Sequence, residues 1–117
     1  MAVHLNNDGI AFTGLGETGF EPPNCPGVTL RPLLRMDDGK AINVFYATIE
    51  TGKEITRETH PFSETLVVID GELTCSIEDG DAVTIGPGRV WHTPADTWHL
   101  VRNNGTRLAQ FTLLGGI

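Results

Sequence analysis

The stretch Leu66-Val67-Val68-Ile69-Asp70-Gly71-Glu72-Leu73-Thr74-Cys75-Ser76-Ile77-Glu78-Asp79-Gly80 decides the class of fold. Leu66 to Ile69 is apolar at successive positions, which suits a buried strand. Asp70-Gly71 is a hairpin-type turn pair. Leu73, Cys75 and Ile77 then alternate with Thr74 and Ser76, the period-2 pattern of a strand with one face inward. Glu78 to Asp81 turns the chain again.

The same rhythm extends in both directions. Upstream, Ala41 to Glu50 is rich in β-branched and aromatic residues and predicts a long strand. Before it, Met36-Asp37-Asp38-Gly39-Lys40 predicts a turn, and Val28 to Arg35 an edge strand, because Pro32 cannot donate to a ladder. Lys53 to Glu64 is polar and interrupted by Pro61, so it is assigned to a strand and turn, not a helix. Downstream, Ala82–Ile85, Val90–Thr93, Thr97–Arg102 and Arg107–Leu114 are further short strands. Seven or eight short strands with turn signals between them predict an all-β antiparallel sandwich or barrel. Residues 1–27 carry no periodic pattern and are expected to form an arm over the core or over a partner subunit, leaving 28–117 as the β domain.

Composition bounds the function. The chain has 117 residues, which suits one domain. Its 14 glycines and 7 prolines, about 18% against an average near 12%, mark a turn-rich chain. Eight Lys+Arg against 15 Asp+Glu give a net charge of −7, with no basic footprint for nucleic acid or an anionic membrane. No apolar run is long enough to span a bilayer. Met1 to Asp8 lacks the features of a secretory signal, so the expected compartment is cytoplasmic. Cys25 and Cys75 are then expected to be reduced thiols.

His and Glu carry the chemistry. On a strand, Glu58 and His60 share a face, and Glu64 opens the next strand while His99 lies on another. Two imidazoles and one or two carboxylates converging inside a small barrel make a divalent transition-metal site. These N/O donors suit Fe, Mn, Ni, Co, Cu or Zn, not calcium. The donors sit in two gapped frames, Gly52-x5-Glu58-x-His60-x3-Glu64-x6-Gly71 and Gly88-x5-Pro94-x-Asp96-x2-His99-x3-Asn103, 16 residues apart. An alternative register through His92 fits worse, since its spacing from Gly88 is wrong and no Asn follows four residues later.

In these two frames the chain resembles the cupin family, over Gly52–Asn103 by motif and roughly 28–114 by strand pattern. The family has a histidine where this chain has Glu58 and a glycine where it has Asp96, a residue that also tolerates the left-handed turn conformation. The resemblance implies a double-stranded β-helix, or jelly-roll barrel, usually dimeric. It implies one divalent metal ion held by His60, Glu64 and His99, with Glu58 either a fourth ligand or a catalytic base. The implied activity is metal-dependent isomerase, cyclase or lyase chemistry on a small organic substrate with a carbonyl or enolisable group. Two alternatives stay open. One is a non-heme Fe(II) dioxygenase using the two-His-one-carboxylate set. The other is a non-catalytic small-molecule-binding cupin, which the changed first histidine favours. The substrate pocket is expected at the open end of the barrel, lined by some of Tyr46, Trp91, Trp98 and Phe111.

Overall fold

The computed structural model describes residues 3–4, 11–12, 18–34 and 42–116. The expected turn at Met36–Lys40 lies outside them. The described residues form eleven strands: β1 (Val3–His4), β2 (Ala11–Phe12), β3 (Val28–Leu34), β4 (Ile42–Ile49), β5 (Glu54–Glu58), β6 (Ser63–Asp70), β7 (Leu73–Ile77), β8 (Val83–Ile85), β9 (Val90–Thr93), β10 (His99–Arg102) and β11 (Ala109–Gly116). No helix occurs among the described residues, so none is long and apolar enough to cross a membrane. Among the described residues, β1 and β2 pair with each other and with no other strand. The rest form two sheets, ordered β3-β4-β11-β6-β9 and β5-β10-β7-β8, with every pairing antiparallel. This is the jelly-roll architecture.

From β4 onward the chain passes back and forth between the sheets. That corrects two readings. Asp70-Gly71 is a turn but not a hairpin, because β6 belongs to the five-stranded sheet and β7 to the four-stranded one. The next pair, β7–β8, is a local hairpin, closed by Gly80 N–H donating to the Ile77 carbonyl. Strand β6 is paired on both sides, between β11 and β9, yet only its Leu66 and Val68 face is buried, while Ile69 on the other face is 49% exposed. The Pro32-bearing β3 does lie at a sheet edge, and its ladder is irregular between Pro32 and Leu34.

The core is built in cross-strand rungs. Phe111 stands between Ala47 and Val68, and Leu113 between Phe45 and Leu66. On the facing sheet Val101 stands between Ile55 and Cys75. Phe111, Leu73, Val68 and Cys75 are fully buried. Burial pushes the Cys75 thiol up to about 12, which leaves it an inert apolar filler. Both cysteines are free. The N-terminal arm is tied to the domain: the Phe20 backbone bridges to Leu30 while its side chain stays exposed, and Cys25 joins the core, buried against Thr56.

Buried Asn103 ties the two sheets together. Its Nδ2 donates to the carbonyls of Ile49 and Arg107, and its Oδ1 accepts from Gly105 N–H. Its backbone pairs with Lys53 and Gly52. The turns on either side depend on left-handed backbone, with φ of +78° at Gly52 and +79° at Gly71. At Gly71 a Cβ would also meet the Leu108 carbonyl oxygen at 2.7 Å and Ala109 Cα at 2.9 Å, whereas at Gly52 it would meet nothing within 4 Å. Gly52→Ala is therefore expected to cost only the left-handed strain of about 1–2 kcal/mol. Gly71→Ala is expected to cost clearly more, read as a larger fall in the urea midpoint. Equal losses would contradict the collision at Gly71.

Candidate metal centre

The four donors come from three strand ends and one loop. Glu58 closes β5 and His99 opens β10, and the two are direct cross-strand partners. Glu64 lies on the inward face of β6, paired with Thr93 and Gly115. His60 does not share a strand with Glu58, because β5 ends at Glu58 and residues 59–62 are a loop. The imidazole still reaches the cluster because that loop is pinned: the His60 carbonyl accepts from Asp96 N–H at 2.8 Å. Asp96 has φ of +57°, the conformation expected of it in place of glycine.

One potential donor atom from each of Glu58, His60, Glu64 and His99 lies within 4.8 Å of all the others. Glu64 is the nearer carboxylate, 3.4 Å from His60 Nε2 and 3.2 Å from His99 Nε2. Glu58 stands 3.8 Å and 3.6 Å from the same atoms, and its side chain is 42% exposed. Each imidazole is oriented by its other nitrogen. His60 Nδ1 lies 2.9 Å from the Phe62 carbonyl oxygen and His99 Nδ1 2.9 Å from that of Thr97. A carbonyl only accepts, so Nδ1 carries a hydrogen in both rings, and Nε2, when unprotonated, presents a lone pair toward the carboxylates. Both Nε2 atoms are buried without a hydrogen-bond partner.

Buried polar atoms normally have partners. Two orphaned lone pairs converging on two carboxylates fit a cation. Donors about 2.1 Å from one ion would stand roughly 3 to 4.2 Å apart, and the four imidazole–carboxylate separations, 3.2 to 3.8 Å, fall inside that range. Backbone carbonyls fixing the far ring nitrogen are the usual outer partners of metal-bound histidine. The cluster could hold one divalent ion, and its N₂O₂ donors suit Fe, Mn, Ni, Co, Cu or Zn.

The expected pocket aromatics fall in three different places. Trp91 pairs with Leu66 on the inward face, and its Nε1 donates to Thr93. Phe111 is inward but wholly enclosed two rungs deeper. Tyr46 alternates with buried Ala47 and lies on the outer face, its hydroxyl bonded to Gln110. Trp98 is 47% exposed and lies under the Arg57 guanidinium. Tyr46 and Trp98 thus do not line the barrel interior. His92 is exposed and bonded to Thr65, away from the cluster. Sequence reasoning missed the residues that do surround the donors. Ile77 flanks His99 across the ladder, Thr93 flanks Glu64, and the Phe62 ring stacks on His60 at 4.3 Å and 7°. Of these, Phe62 was visible only as part of a turn.

The family model for the cupin domain (Cupin_2) matches residues 45–115. The chain belongs to the cupin family. Among solved structures, a predicted oxalate decarboxylase from Thermotoga maritima shares the fold at a TM-score of 0.77 and 19% identity, covering 87% of this chain and 94% of that one. A polyketide cyclase from Streptomyces resistomycificus matches at 0.74 and 16%, covering 86% and 74%. The Cupin_2 domain of an XRE family transcriptional regulator from Enterobacter cloacae matches at 0.66 and 27%, covering 78% and 97%. No curated protein matches the chain.

The electrostatics of His99 give a pH prediction. Burial alone would lower its pKa, but Glu58, Glu64 and the Thr97 carbonyl outweigh burial and raise it from 6.5 to about 10. Because the folded value lies above the unfolded one, the stabilisation of the metal-free protein is fully present below pH 6.5 and is lost as pH climbs through about 10. The melting temperature of chelator-treated protein is expected to fall over that window, and the fall to flatten in His99→Gln. An unchanged slope in His99→Gln would contradict the assignment.

Proposed function

We propose that this cupin is a metal-dependent enzyme acting on a small organic substrate with a carbonyl or enolisable group, by isomerase, cyclase or lyase-type chemistry. The single observation that carries the reading is the pair of buried, partnerless Nε2 lone pairs on His60 and His99, aimed at Glu64 and Glu58. His60, Glu64 and His99 hold the ion. When bound, a divalent ion supplies Lewis acidity toward a substrate oxygen. Glu58 is the proton carrier: it is the more exposed carboxylate and stands farther from both imidazoles than Glu64 does. A carboxylate at that distance can reach a substrate carbon's proton without leaving the cluster. Phe45, Leu66, Trp91 and Leu113, one rung deeper, give an apolar floor that orients the carbon skeleton and keeps water out. The activities named for two of the similar folds, polyketide cyclase and predicted oxalate decarboxylase, are consistent with reaction at a carbonyl-bearing carbon. The free cysteines and the sheet-edge strand β3 support a homodimer working in a reducing, cytoplasmic setting.

A second reading, a non-catalytic ligand-binding module, is favoured by one observation: the 27% identity to the cupin domain of a transcriptional regulator exceeds that to the two enzymes named.

Element analysis after reconstitution is expected to give near-stoichiometric metal in the parent chain. His99→Ala should lose most of it while circular dichroism keeps the β signature. Its loss in affinity should exceed the 10–100-fold, roughly, that removal of an outer partner costs. Metal-dependent deuterium uptake by enolisable ketones in D2O, followed by NMR, tests the proton step. Glu58→Gln is expected to keep the metal and lose the exchange. No uptake of any transition metal by the parent chain would overturn the metal-dependent reading. Metal binding and ligand protection without exchange would favour the non-catalytic one.

A further inference from the structure

The loop between β5 and β6 contains a device that neither motif spacing nor the donor set accounts for. His60 sits on this loop, outside any strand, so no ladder fixes its ring. Three contacts do. The Nδ1–H donates to the Phe62 carbonyl at 2.9 Å. One ring face lies nearly parallel on the Phe62 ring, 4.3 Å away and tilted by 7°. The His99 ring stands edge-on at 4.9 Å and 66°. Residue 62 thus supplies both the hydrogen-bond acceptor and the stacking surface, and Pro61 between them restricts the backbone that places both.

The Phe62 ring is itself seated against the end of β11, the middle strand of the five-stranded sheet. A Cβ on Gly115 would lie 3.0 Å from Phe62 Cε2 and 3.3 Å from Cδ2, closer than the ring allows without shifting. Gly115 is in β11 and pairs with Glu64, so the slot and the nearer carboxylate share one rung. The backbone of Gly115 is not left-handed, so alanine there acts through the ring and not through strain.

We propose that Phe62 is a positioning residue which, seated in the slot left by Gly115, holds the His60 imidazole with Nε2 turned into the donor cluster. This rests on the metal-centre reading above, and it deepens it: affinity for the ion depends on an aromatic ring that touches no ion. Phe62 acts through His60 and is not a catalytic residue.

The test is a double-mutant cycle on the full chain with Zn²⁺ and Co²⁺ as probes, read by chelator competition. Phe62→Leu keeps apolar bulk but removes the flat face. It is expected to raise the metal dissociation constant by about 10–100-fold, the range typical of lost outer-partner contacts. Phe62→Tyr retains the face and should stay at the parental value. Gly115→Ala should weaken binding in the parent chain and add nothing in the Phe62→Leu background. A second readout needs no metal. Nitrogen-15 shifts of neutral His60 should report the Nδ1–H tautomer in the parent and in Phe62→Tyr, and a shift toward Nε2–H in Phe62→Leu. Urea midpoints of the metal-free variants separate misfolding from mispositioning. Parental affinity and an unchanged tautomer in Phe62→Leu would overturn the proposal, as would additive losses in the double variant. If the parent chain takes up no metal, the metal-dependent reading fails on its own, and the tautomer readout still decides the role of Phe62.

Discussion

The site depends on a rule of electrostatics: two carboxylates and two imidazole lone pairs do not converge in a buried space without positive charge. Glu64 and Glu58 lie within 3.8 Å of both Nε2 atoms. Without a cation from solution, the protein supplies one by holding a proton on His99, which is why that ring's pKa stands near 10. A metal ion and that proton compete for the same lone pair. The jelly roll makes the arrangement tolerable by placing the donors at strand ends, where β5 stops and β10 starts, while the apolar rungs through Phe111 and Val101 lie deeper.

Much of the fold was legible in the sequence because its signals are local. Gly52, Gly71 and Gly88 all adopt positive φ at the frame positions, and Asp96 does the same in place of glycine. That Glu58, His60, Glu64 and His99 come together was legible through the resemblance of the two frames to the cupin motifs, since spacing alone does not say which distant strand ends face one another. Boundaries moved where a tertiary contact overrode propensity. β11 runs Ala109–Gly116 and not Arg107–Leu114, because the Arg107 carbonyl is held by Asn103 and the chain's glycines pair readily with β4 and β6.

Two kinds of information were not local. Sheet membership was one: Asp70-Gly71 has hairpin chemistry, yet its flanking strands pair with partners far along the chain. Face assignment was the other. Tyr46 lies between Phe45 and Ala47, so its surroundings are apolar on both sides and alternation alone does not say which of them points inward. The register with β11 decides it, by setting Ala47 opposite buried Phe111 and Tyr46 opposite Thr112. Phe62 escaped notice because its role depends on a stack made across a loop, which no strand period records.

The passage of the chain between two sheets has a kinetic meaning. Glu58 and His99 are adjacent in space but some forty residues apart in sequence, and Glu64 must arrive from the other sheet. Pairings of that separation close late, after the loop entropy between them has been spent. The donors therefore do not exist as a cluster in the early collapsed chain, and an ion has nothing to nucleate upon. An ion held as proposed would therefore enter after folding, with the deeper rungs already shut.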